Sequence, residues 1–180
     1  MTGSILVIFV ILAACQATSG MSYKSTSEID QDVDAVLQKL YETTPLANQL
    51  RKEARGVLVF PEILKAGFLA GAQYGEGALR ENGKTTGYYN TITASYGLQA
   101  GVQVFGYALF FMNDEALAYL DKSSGWEIGT GPSIVVLDEG FAKSMSTTTL
   151  TKDVYALTFN QQGLMAGLGL QGTKITKINP

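Results

Sequence analysis

Few residues in this chain have the chemistry that catalysis needs. The 180 residues include no histidine and a single cysteine. These absences exclude a serine, histidine and aspartate triad, a cysteine and histidine zinc site, and an internal disulfide. The carboxylate pairs Asp114/Glu115 and Asp138/Glu139 stand where a helix start or a turn favours aspartate, so we interpret both pairs as structural. We therefore expect no enzyme, no catalytic residue, no metal ligand and no cofactor.

Four basic residues are the candidates for binding an anionic ligand. Arg51, Lys52 and Arg55 crowd the last turn of a predicted helix, and Lys65 follows them in the chain. For Arg51 and Lys52 two interpretations stay open: contact with phosphate headgroups, or the usual preference for cations at a helix C-terminus, which is worth about 0.3–1 kcal/mol each. No helix end explains Lys65. The net charge of −3 argues against a nucleic-acid partner, although it leaves room for a local basic patch.

The cysteine lies in a sequence context that favours lipidation. Residues 5–14 form an apolar run that is too short to span a bilayer but has the length of a signal-peptide core. The run ends in Leu-Ala-Ala followed by Cys15, which resembles a bacterial lipobox, in which the cysteine is acylated and becomes the first mature residue. Gln16, in place of an aspartate, resembles an outer-membrane sorting preference. The alternative is a plain secretory signal that is cut elsewhere, with Cys15 discarded.

These features predict the organisation of the chain. We expect a signal peptide over residues 1–14, a flexible tether over 15–24 and one domain over 25–180. The mature protein would be lipid-anchored in the outer membrane and face the periplasm, or be secreted if it is not lipidated.

The domain begins with two predicted helices. Ser25 and Glu28 have the spacing of a capping box, and the apolar residues that follow predict a helix over residues 28–41. Thr44 and Pro45 then form an N-cap and a first-turn proline, so a second, shorter helix is expected to run to about Gly56.

The rest of the chain has the pattern of an antiparallel sheet. In residues 57–79, strand periodicity places four glycines on one face and small or aromatic residues, including Phe68 and Tyr74, on the other. A strand with one nearly bare face can curve sharply or admit a ligand or another backbone. The pair Asn82-Gly83 predicts a hairpin turn, and residues 102–112 predict a central strand.

Later segments predict one more short helix, after Asn113, further strands, and a turn at residues 138–140. No helices alternate with strands as parallel βαβ units require. The predicted fold class is therefore α+β and mainly antiparallel β, with a curved sheet that forms a barrel or sandwich, two N-terminal helices and one short internal helix.

Four spaced blocks of the sequence resemble the SYLF domain family. They are residues 55–60, 65–71, 97–112 with Asn113 and Ala116 after them, and 163–172. The resemblance implies a lipid-binding module, since eukaryotic SYLF domains bind phosphoinositide membranes through basic residues and an amphipathic N-terminal helix, and some also bind actin. Bacterial members are typically short secreted proteins or lipoproteins.

The resemblance also implies which residues bind lipid. Arg55 and Lys65 stand where the family has basic residues on either side of its first apolar block, and Arg51 and Lys52 lie near them by helical spacing. The first helix is acidic, so it does not resemble a basic membrane-inserting helix. We expect a phospholipid membrane as the partner. The alternative is a protein-interaction or envelope-organising module that offers residues 144–152 as an edge strand.

Overall fold

The computed structural model describes residues 24–68, 70–96, 101–122, 124–144, 150–163 and 172–180. An eight-stranded, mostly antiparallel sheet curls into a half-barrel and carries four α-helices within these residues. The predicted α+β class is confirmed. In chain order the elements are α1 (Thr26–Thr43), α2 (Pro45–Glu53), β1 (Gly56–Phe68), β2 (Ala70–Glu81), β3 (Lys84–Tyr96), β4 (Gly101–Phe111), α3 (Asp114–Leu117), a 3-10 turn (Ala118–Asp121), β5 (Trp126–Glu127), β6 (Ile134–Leu137), α4 (Glu139–Ser144), β7 (Val154–Gly163) and β8 (Lys174–Ile178).

The strands lie in the order β5-β8-β3-β2-β1-β4-β7-β6. Two contacts between strands that are not neighbours show how strongly the sheet curls. The Thr91 hydroxyl on β3 lies 2.7 Å from the Tyr107 hydroxyl on β4. The rings of Phe111 on β4 and Trp126 on β5 are 5.7 Å apart. These side chains therefore lie on the inner face of the half-barrel.

The two N-terminal helices follow the sequence prediction. The Ser25 side chain accepts a hydrogen bond from the Glu28 amide, and the Glu28 carboxylate accepts one from the Ser25 amide, so the capping box is confirmed. Pro45 occupies the first turn of α2, as predicted. Both helices bury an apolar stripe against the outer face of the sheet, where Val33 and Leu50 are fully buried.

The hairpin and the central strand are also confirmed. Asn82 and Gly83 both have positive φ, at 51° and 77°, which a tight two-residue hairpin turn requires. The strand predicted over residues 102–112 is β4, which pairs with β1 on one side and β7 on the other. A strand that is paired on both sides and covered on both faces can be apolar along most of its length.

The predicted turn at residues 138–140 is wrong. The Asp138 carboxylate accepts a hydrogen bond from the Phe141 amide at 2.9 Å and so starts α4. Lys143 bonds Glu139 one helical turn away, and Ala142 is buried against the helices. The neighbouring strand β6 pairs with β7 in parallel, which is an exception in this sheet.

Glycine on the inner side of β2 lets two strands approach closely. A Cβ placed on Gly77 would collide with the carbonyl oxygen of Val59 on β1. The pairing of β1 with β2 shifts register between Val59 and Glu62, beside this contact. The bare glycine and the irregular register together allow the bend that the sequence predicted here.

Replacing Gly77 with alanine should therefore destabilise the fold. We expect Gly77→Ala to lower the free energy of unfolding by about 1–3 kcal/mol, because the added methyl group forces the backbones apart. Chemical denaturation measures the change. The control is Gly140→Ala in α4, whose methyl group would meet only the Asp138 carboxylate, at 3.2 Å. An equal effect of the two substitutions would contradict the account of the bend.

Candidate functional site

Three of the four predicted basic residues border one groove. Arg51 and Lys52 lie in the last turn of α2, and Arg55 lies between α2 and β1. The groove has a volume of about 500 Å³, and Leu37 and Val57 are among the apolar side chains that line it. We call it the basic groove. Its lining residues are Asp34, Leu37, Tyr41, Arg51, Lys52, Ala54, Arg55, Gly56, Val57, Arg80, Asn82 and Gly83.

Arg80 on β2 forms part of the groove and joins the sheet to α1. Its guanidinium donates to Asp30 at 2.8 Å and to Asp34 at 2.7 Å, and its side chain is only 9% exposed. Asp30 also accepts hydrogen bonds from Thr85 and Tyr88. Because two carboxylates already balance its charge, Arg80 fixes the position of the groove wall and adds little net charge. No local sequence pattern indicated a role for Arg80.

The three cations of the groove are more exposed. Arg51 stacks over the Tyr41 ring, with its guanidinium carbon 4.7 Å from the ring centre. Burial raises the pKa of Tyr41 to about 12, so this phenol is neutral at physiological pH. Arg55 lies 3.8 Å from Asp114, and both side chains are largely exposed, so the pair contributes little. The groove therefore has a mixed lining, in which a few apolar side chains lie beside polar ones, with cations at its border.

Lys65 lies elsewhere. It faces the inner side of the half-barrel, where it pairs in register with Gln73 on β2 and Gln103 on β4. Lys65 stands nine positions after Gly56, which lies beside the groove, and this separation is roughly 30 Å along an extended strand. The fold thus brings Arg51, Lys52 and Arg55 together and leaves Lys65 apart. Headgroup binding by each of the four stays a prediction.

A second surface was not predicted. The outer face of the sheet carries an uncovered apolar area at the end away from the basic groove, which we call the apolar sheet face. Its large side chains are Phe68, Val102, Leu64 and Ile92, with exposed fractions of 76%, 56%, 52% and 48%. The exposed alanines Ala66, Ala70, Ala72 and Ala94 complete it. The alternation in residues 57–79 was the available signal, but it does not say which face solvent reaches.

Strand register places these side chains on one surface. Ala66 pairs with Ala72 on β2 and with Val102 on β4, and Ile92 on β3 pairs with Tyr74. The inner face at the same level of the sheet carries polar side chains that are buried: Gln73, Thr91, Gln103 and Thr173. The usual arrangement is therefore reversed at this end of the sheet, since polar groups face inward and apolar groups face solvent.

The structure does not test the predicted lipidation site or the predicted edge strand. Cys15 and the predicted signal peptide lie outside the described residues. Most of the segment predicted as a binding edge, residues 144–152, also lies outside them, and its described residues 150–152 are not strand. Within the described part of the chain, no helix is long and apolar enough to cross a bilayer. The same residues contain no acidic cluster with the composition of a metal site.

Comparison with known families identifies the domain. Residues 92–179 match the protein-family model described as "Ysc84: Las17-binding protein actin regulator". This is the SYLF family, so the resemblance is confirmed by a match over these residues. No curated protein matches the chain. The matched span starts in β3, so the four basic candidates precede it in the sequence. In the sheet, β1 and β2 lie between the matched strands β3 and β4.

Removing the guanidinium of Arg80 should loosen α1 from the sheet. We expect Arg80→Leu to cost about 2–3 kcal/mol of unfolding free energy, because Asp30 and Asp34 would lose their charged donor while Asp30 stays partly buried. The matched control is Arg55→Leu, at an exposed pair, which should change stability by less than about 1 kcal/mol. Thermal and urea unfolding measure both variants. A smaller loss for Arg80→Leu than for Arg55→Leu would contradict this assignment.

Proposed function

We propose that this protein is a membrane-anchored bacterial lipoprotein that binds phospholipid through its SYLF domain and catalyses no reaction. The family suggests lipid or actin-related binding, which is the broader statement from which the proposal starts. The basic groove is the observation that favours lipid, because its two chemistries match the two parts of an amphipathic molecule.

The cations at the border of the groove suit a phosphate. Arginine can donate two parallel hydrogen bonds to phosphate oxygens, and lysine adds a point charge. Arg51, Lys52 and Arg55 would supply these donors, while Leu37 and Val57 would contact the first part of an acyl chain. A volume of about 500 Å³ lies within the ordinary size of a small-molecule site, which is about 300–1,000 Å³.

Charge reversal tests the groove. The double variant Arg51→Glu/Arg55→Glu should weaken binding to phosphatidylglycerol vesicles at least roughly tenfold, since each cation near an anionic surface is worth about 1 kcal/mol. High salt should weaken the wild-type chain in the same direction. Vesicle flotation measures the partition.

Two controls make the result specific. Lys122→Glu/Lys152→Glu changes the net charge equally but alters exposed residues outside the groove. Lys65→Glu tests the predicted residue that lies outside the groove. Equal loss in the groove variant and in the distant double variant would mean that only net charge matters, and the groove proposal would fail.

The anchor is tested separately. We expect mass spectrometry of the protein from its native membrane to show a diacylated Cys15 at the N-terminus, and Cys15→Ser to abolish this modification. Two or three acyl chains give stable attachment, whereas one does not. A mature N-terminus downstream of Cys15 would refute lipidation. Mass spectrometry of co-purified lipids would identify the ligand.

A protein-interaction module is the second candidate. The description of the matched family names a protein partner and actin regulation, and a groove with cations at its border also suits an acidic segment. Recovery of a stoichiometric protein partner, together with an absence of retained lipid, would favour this function.

A further inference from the structure

We propose that the apolar sheet face is a membrane-insertion surface, which rests in the interfacial layer of a bilayer and contacts acyl chains. This surface is distinct from the basic groove, which lies at the other end of β1. The inference does not depend on the basic groove. It rests on the proposed function only where an acyl anchor at Cys15 is invoked.

The composition of the face favours hydrocarbon as the ligand. The sequence has no charged residue from 66 to 75 or from 85 to 113. These two segments contain every side chain of the apolar sheet face except Leu64. Burying one large apolar side chain is worth about 1.5–3 kcal/mol, and four of them are substantially exposed together here. Contiguous exposed apolar surface of this kind marks a protein or membrane contact.

The border of the face has the groups expected at a membrane interface. The Tyr74 hydroxyl donates to Glu76 at 2.6 Å, so its ring lies between apolar and polar surroundings. Glu62 and Glu76 lie on the side towards α1, near Lys24, and Lys174 on β8 pairs in register with Ile92. Because both signs are present, contact should depend on apolar burial and only weakly on anionic lipid.

The position of Lys24 also favours a membrane as the occupant. The backbone amide of Lys24 donates to Glu76 at 3.0 Å, so the described chain begins at the border of the apolar sheet face. Residues 1–23 precede this point, and Cys15 is nine positions before Lys24, a reach of at most about 30 Å. An acyl anchor at Cys15 would therefore hold this end of the sheet within about 30 Å of the leaflet.

The curvature of the sheet argues against a second copy as the occupant. The apolar sheet face lies on the outer surface of the half-barrel, opposite the inner side where Thr91 and Tyr107 meet. Two convex surfaces touch over a small area, whereas a stable dimer buries about 1,200–2,000 Å². A fluid lipid layer can follow the curve.

Paired substitutions test the proposal in the full-length chain with Cys15→Ser, which removes acylation. Phe68→Asp/Val102→Asp should lower the partition onto uncharged phosphatidylcholine vesicles roughly tenfold or more. The matched control is Phe141→Asp/Val136→Asp, which alters the same residue types at exposed positions, 53% and 39%, outside this face. The control should bind as before, and high salt should leave the binding of the Cys15→Ser chain to these uncharged vesicles unchanged.

A second measurement does not require a charged substitution. The fluorescence emission of a polarity-sensitive dye on Val102→Cys in the Cys15→Ser chain should shift to the blue when vesicles are added, whereas the emission of the same dye on Val136→Cys should not.

Equal partition of the two aspartate double variants, or no shift at position 102, would overturn the proposal. So would a wild-type dimer in sedimentation that Phe68→Asp/Val102→Asp converts to a monomer, because the face would then bind a second copy. If Arg51→Glu/Arg55→Glu does not weaken binding to phosphatidylglycerol vesicles, phospholipid binding by the basic groove is refuted, and the proposal for the apolar sheet face is unaffected.

Discussion

The close approach of β1 and β2 over glycine is the constraint on which the rest of the structure depends. Gly67, Gly71, Gly75 and Gly77 all face the inner side of the sheet, and several have no room for a methyl group. A side chain at these positions would hold the two backbones apart and flatten the sheet. With glycine there, the sheet curls until residues of β3 and β4 touch across two intervening strands.

The curl gives the sheet an inner and an outer face with different cores. Aromatic side chains such as Phe60, Tyr107 and Trp126 fill the inner face, and the helices cover part of the outer one. The helical layer consists of α1, α2 and α4, and it covers the end of the sheet that carries the basic groove. The apolar sheet face is the part of the outer surface that these helices leave open, so both candidate surfaces follow from where the helices end.

The two surfaces lie at opposite ends of β1, and this separation has a functional consequence. A flat bilayer in contact with the apolar sheet face would leave the basic groove roughly 30 Å away along the strand. The basic groove would then stay open to a lipid molecule or an acidic protein segment that lies outside the area of bilayer in contact with the apolar sheet face. The Arg80 and Asp30 network keeps the groove wall in place, since it joins α1 directly to β2.

Local sequence determined the elements of this protein, and tertiary packing decided what they expose. Ser25 with Glu28, Pro45, and Asn82 with Gly83 act within a few residues, so caps, a helix start and a hairpin were predictable from the chain alone. The start of α4 at Asp138 was missed because a short helix and a turn use the same N-terminal aspartate.

The placement of the candidate sites could not be obtained from the sequence in the same way. Alternation put Phe68 on the face opposite the glycines, but the length and position of α1 and α2 decided that solvent reaches it. Lys65 is close to Arg55 in sequence, yet an extended strand separates them. Local pattern fixes conformation and sidedness because those depend on neighbouring residues, whereas exposure and proximity depend on contacts between residues far apart in the chain.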